Sequence, residues 1–128
     1  LVMGRSLGAN PALEVAATVP GYRGLILESG AGNVGRWVTR FGMQQSEETE
    51  RFVAAHEAKL GRITMPALLI HGLADDLVPV DNAVATASML TAGQDVRTEF
   101  IEGAGHNDLL YVDAARYMTA IADLVESV

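Results

Sequence analysis

The sequence predicts an α/β domain built on a parallel sheet. Two observations lead there. Short apolar runs of strand length alternate with longer stretches of helical period along the whole chain. The runs Gly24-Leu25-Ile26-Leu27-Glu28 and Ala67-Leu68-Leu69-Ile70-His71 are apolar at nearly every position, as in strands covered on both faces.

The elements follow in order. Leu1-Val2-Met3 reads as the end of a buried strand stopped by Gly4. From Leu7 to Val19, the residues Leu7, Leu13, Val15, Ala16 and Val19 fit one helical face, with Pro11 tolerated in the first turn and Pro20-Gly21 as the stop. The second strand spans Gly24–Glu28. Residues 30–45 are Gly-rich and read as irregular, with Trp37 and Phe41 among them. Ser46 has the chemistry of an N-cap, and Glu47, Glu48 and Glu50 suit the positive end of a helix running to about Leu60. Its expected apolar face is Phe52, Val53, His56 and Leu60. Pro66 launches the strand Ala67–His71. A helix over Asp81–Leu90, ended by Gly93, leads to a strand over Val96–Ile101, and Val112–Val125 forms a last amphipathic helix.

With 128 residues the chain can build one domain with a limited core, and 49% hydrophobic against 20% charged residues excludes disorder. The net charge of -7, with nine scattered basic residues, argues against nucleic acid or an anionic membrane as partner. Cysteine is absent, which removes disulfides and thiol chemistry and is compatible with a cytoplasmic setting. No apolar run approaches the roughly 20 residues of a membrane span. The first residues lack the features of a signal peptide, and the apolar start reads as a chain cut inside a strand. Oligomeric state is not legible.

Three short motifs carry chemistry. Gly4-Arg5-Ser6-Leu7-Gly8 is G-x-S-x-G between a strand and a helix. Such a turn forces its serine into a strained conformation above the sheet and points the next backbone N–H, that of Leu7, toward a developing oxyanion. Asp75 and Asp76 follow the strand ending at His71, on the sheet edge where α/β proteins keep their sites. His106 stands among small residues in Gly103-Ala104-Gly105-His106-Asn107, and imidazole is the base suited to neutral pH. The order Ser, Asp, His, each after a different strand, is that of a nucleophile, an orienting acid and a base. His56 and His71 read instead as packing and backbone-satisfying residues.

On these motifs, Gly4–Gly8, His71–Pro79 and Gly103–Asn107, the chain resembles the α/β-hydrolase superfamily, and within it the small esterase- and thioesterase-like members. The resemblance selects Asp75 over Asp76 as the acid, beside Ser6 and His106. It implies the later part of one hydrolase domain over residues 1–128, with a small cap around 31–62. Trp37, Phe41 and Met43 are then candidates for an acyl pocket, against a role in core packing. It also implies that a second oxyanion donor comes from a loop outside these residues, a loss worth roughly 10²–10³ in rate to the chain alone. The expected reaction is hydrolysis of a small ester or thioester with no metal or organic cofactor.

Two rivals have features of their own. Gly30-Ala31-Gly32-Asn33-Val34-Gly35 is a G-x-G-x-x-G after a strand, the fingerprint of a dinucleotide-binding oxidoreductase. That fold needs a long helix after the glycines and an acidic strand end about 20 residues on. Gly42 and the polar stretch Gln44–Arg51 stand in their places, so the glycines read as a flexible entry to the cap. A non-catalytic binding protein on a hydrolase scaffold is the third class.

Overall fold

The computed structural model describes residues 1–30, 32–92 and 95–128. Four strands, β1 (Val2–Arg5), β2 (Leu25–Glu28), β3 (Ala67–Gly72) and β4 (Val96–Ile101), form a sheet in the order β1-β2-β3-β4. All three pairings are parallel, with Val2 opposite Leu25, Leu25 opposite Ala67 and Ala67 opposite Val96. Every strand therefore delivers its carboxyl end to the same edge. The helices are α1 (Ala9–Thr18), α2 (Val34–Arg40), α3 (Glu47–Leu60), α4 (Asp81–Met89), α5 (Leu109–Val112) and α6 (Ala114–Ser127).

The apolar strands are buried on both faces because their side chains alternate. Leu25, Leu27, Ala67 and Leu69 pack with Ala9, Leu13 and Ala16 of α1, Leu60 of α3 and Ala83 of α4. Ile26, Leu68 and Ile70 point the other way, with Ile101, Leu109 and Leu124. The two clusters make a three-layer domain, as a doubly covered parallel sheet requires.

Several local expectations change. The buried face of α1 is Ala9, Ala12, Leu13 and Ala16, whereas Leu7 and Val19 are exposed because they lie before and after the helix. Residues 34–40 are helical, because the Asn33 side chain accepts the Arg36 N–H and caps α2. Ser46 caps α3 as expected, by accepting the Thr49 N–H, but Phe52 on that helix is exposed. The last helix is two, because Asp113 leaves the helical conformation and accepts the Arg116 N–H as the cap of α6. Gly93, the expected stop of α4, lies outside the described residues.

Gly4 locks β1 against α1. A Cβ there would lie 2.4 Å from the Gly8 carbonyl oxygen and 2.6 Å from Ala12 Cβ, contacts that backbone cannot relieve. Gly4→Ala is expected to destabilise the fold by about 1–3 kcal/mol, the range for overpacking. Urea denaturation measures it, and an unchanged midpoint contradicts the packing described.

Candidate active site

Three loops at the carboxyl edge of the sheet converge. Ser6 follows β1 with φ 52°, a left-handed conformation that costs a non-glycine residue roughly 1–2 kcal/mol. The chain then enters a single 3-10 turn, Ser6–Gly8, which leads directly into α1. Leu7 lies in that turn, where the first N–H groups have no intrahelical acceptor, and its side chain is exposed.

Asp75 follows β3. Its side chain has 0% exposure, yet three donors meet it. The N–H groups of Leu77 and Val78 donate to Oδ1 at 3.0 and 2.8 Å, and His106 Nδ1 donates to Oδ2 at 2.8 Å. Asp76, its neighbour, is exposed. Only Asp75 is thus built into the site.

His106 follows β4 and is also buried. An ionised carboxylate only accepts, so the hydrogen on this ring resides at Nδ1. Nε2 then accepts from Ser6 Oγ at 2.9 Å. The ring lies between acid and hydroxyl in one unbroken line.

The loops that carry Asp75 and His106, the acid and base loops of the sequence reading, are joined by backbone. Leu73 N–H donates to the Ile101 carbonyl at 3.0 Å and Ala74 N–H to the Ala104 carbonyl at 2.9 Å. Gly72 permits that approach, since a Cβ there would fall 2.3 Å from the Ala104 carbonyl oxygen. Asp108 accepts the Gly105 N–H at 2.7 Å and closes the base loop on itself.

The other two histidines have backbone partners. His56, half-buried, donates from Nε2 to the Gly32 carbonyl at 2.8 Å, tying α3 to the loop after β2. His71, fully buried, donates from Nε2 to the Val78 carbonyl at 2.7 Å and so holds the segment whose N–H groups meet Asp75.

Two glycines of the Gly30–Gly35 fingerprint pack closely, Gly30 against Ala9 of α1 and Gly32 against Leu13 of α1 and Thr86 of α4. Both are buried, and a Cβ on Gly32 would meet Leu13 and Thr86 at 3.0 Å. Asn33 is engaged as the cap of the short α2, and Ala31 lies outside the described residues. Among the described residues no group of three or more His, Asp or Glu could hold a metal ion, and no helix is long and apolar enough to cross a membrane.

A cleft of about 450 Å³ separates α2 from the acid loop, lined by Asn33, Arg36, Trp37, Arg40, Leu77 and Val78 among others. Trp37 stacks on Phe41 with ring centroids 5.2 Å apart. Phe41 and Met43 are exposed, so neither packs the core.

Sequence reasoning did not mark the side chains that surround the base loop from outside. Arg5, Glu28 and Tyr117 form one hydrogen-bonded group there, brought together by strand pairing and by α6. No local pattern could reveal it.

A site of this construction defines an α/β-hydrolase, and the comparisons with known proteins narrow the class. The model of the prolyl oligopeptidase family, peptidases S9, matches residues 1–125, and the chain belongs to that family of serine hydrolases. Among solved structures it is similar to the Pyrococcus horikoshii acylaminoacyl peptidase, with a TM-score of 0.71 at 17% identity over 97% of this chain and 22% of that one. It is also similar to the Pyrococcus furiosus esterase Pf2001, with a TM-score of 0.71 at 17% identity over 98% of this chain and 51% of that one. Similarity to the esterase PE8 has a TM-score of 0.65 at 28% identity, over 97% of this chain and 48% of that one. The chain thus spans about a fifth of the peptidase and about half of each esterase. No curated protein matches it in sequence.

Burial, and then the hydrogen bond and charge of Glu28, push the Tyr117 hydroxyl up to about 12 from an ordinary value of 10.0. Folding therefore holds this proton more tightly than the unfolded chain does. The resulting stabilisation is complete below about pH 10 and is lost as pH rises toward 12. Tyr117→Phe is expected to flatten the fall in unfolding free energy across that window, measured by urea titration at several pH values. Parallel slopes for the two proteins contradict the assignment.

Proposed function

We infer that the protein hydrolyses a carboxylic ester or thioester through an acyl-enzyme on Ser6. The observation that carries this reading is the continuous line from Asp75 through His106 to the hydroxyl of a serine held at φ 52°. In the first step His106 Nε2 takes the Ser6 proton as Oγ attacks the carbonyl carbon, and Asp75 stabilises the imidazolium. The Leu7 N–H donates to the tetrahedral oxyanion. His106 then returns the proton to the leaving alcohol or thiol as the carbonyl re-forms. A water, deprotonated by the same ring, attacks the acyl-enzyme, and the acid departs with Ser6 restored.

Residues 31–62, which include α2 and α3, act in this reading as a small cap, with Trp37, Phe41 and Met43 available to an acyl group. The likeness to two esterases over about half their length favours an ester over a peptide bond. The family and the acylaminoacyl peptidase support the second reading, cleavage of a small acylated peptide.

A panel of p-nitrophenyl esters, an acyl thioester and an acylaminoacyl anilide separates these readings. It is run on the 128-residue chain and on a longer polypeptide that contains it. Ester turnover with an initial burst is expected, reduced roughly 10³-fold or more by Ser6→Ala and by His106→Ala. Faster cleavage of the anilide than of the esters moves the assignment to a peptidase. Turnover that survives both substitutions refutes the mechanism.

A further inference from the structure

Arg5 immediately precedes Ser6 in the strand-to-helix turn, or elbow, yet its side chain reaches across to the base loop 101 residues later. Nη2 donates to the backbone carbonyl of His106 itself at 2.8 Å and to Asn107 Oδ1 at 2.6 Å. Nε donates to Glu28 Oε1 at 3.0 Å, and the other oxygen of that carboxylate accepts the Tyr117 hydroxyl at 2.8 Å. One guanidinium thus joins the elbow, the base loop and the end of β2, and α6 supports it through Tyr117.

Two features make this more than a surface ion pair. Glu28 is only 12% exposed and is oriented from both sides, so the fork is received by a fixed acceptor and not by a mobile one. The carbonyl that Arg5 binds also belongs to the same residue as the imidazole. Any slack there moves Nε2 relative to Ser6 Oγ, and errors of about 1 Å in such geometry cost on the order of 10²-fold in rate. Planar, multiply donating arginine suits this role, whereas lysine offers a point charge without the fork.

We propose that Arg5 is a positioning residue that sets the distance between His106 and Ser6, with Glu28 and Tyr117 holding its guanidinium. The proposal rests on the reading of Ser6 and His106 as nucleophile and base. Its structural half can be measured without that reading.

The test compares wild type with Arg5→Met, Arg5→Lys and Tyr117→Phe by two readouts. Amide hydrogen exchange at residues 103–107 reports on the loop, and the rate of fluorophosphonate labelling at Ser6 reports on the site. In Arg5→Met, exchange in that loop is expected to accelerate while α1 and β3 keep wild-type protection. Labelling is expected to slow roughly 10- to 100-fold. On an ester substrate kcat falls with KM unchanged. Arg5→Lys restores part of both effects, and Tyr117→Phe gives a smaller change of the same kind and serves where Arg5→Met fails to fold. Unchanged exchange, or unchanged labelling with faster exchange, overturns the proposal. If wild type itself does not label, the hydrolase reading fails, and the exchange data alone decide whether Arg5 holds the loop.

Discussion

A carboxylate with no exposed surface stands at the centre of the site, and the surrounding chain is organised to make its burial tolerable. An uncompensated carboxylate in an apolar interior is costly, so each oxygen of Asp75 must find donors. Oδ1 receives two backbone N–H groups from the loop that follows, and Oδ2 receives His106. His71, buried beneath, grips the carbonyl of Val78, whose N–H is one of those donors. Removal of any partner leaves a buried charge short of a hydrogen bond, and hydrogen bonds to charged groups are worth about 1.5–3 kcal/mol each. The same interaction orients the imidazole toward Ser6, so burial of the carboxylate and alignment of the ring are met by one set of contacts.

The parallel sheet supplies the remaining constraint. Because all pairings are parallel, loops separated by dozens of residues emerge side by side at one edge. Gly4 and Gly72 then allow the backbones at that edge to approach more closely than any side chain would permit. The left-handed Ser6 is held by β1 on one side and α1 on the other, so local strain is sustained by packing elsewhere. Family membership accords with this construction, and the likenesses at 17–28% identity agree with it at the level of fold.

Much of this is legible in the sequence alone. Apolar runs without alternation announced β2 and β3, because burial on both faces leaves almost no polar position there. The serine, aspartate and histidine were legible because each followed a strand in an order that parallel topology converts into proximity. Other features depend on partners distant in sequence. Asn33 was hidden inside a glycine fingerprint, and its capping of α2 emerges only once the chain has turned. Asp113 interrupts an amphipathic stretch whose period reads through it. Phe41, Met43 and Phe52 are apolar and yet exposed, because composition records hydrophobicity but not what lies opposite. Arg5, Glu28 and Tyr117 meet only through strand register and the docking of α6.

The central claim is that Ser6 is an activated nucleophile. The most direct measurement is intact-mass analysis after treatment of the folded protein with a fluorophosphonate, followed by peptide mapping. The account predicts one adduct per chain, located on Ser6, absent from Ser6→Ala and formed far more slowly in His106→Ala. A folded protein that takes up no adduct, or carries it on another residue, would contradict it.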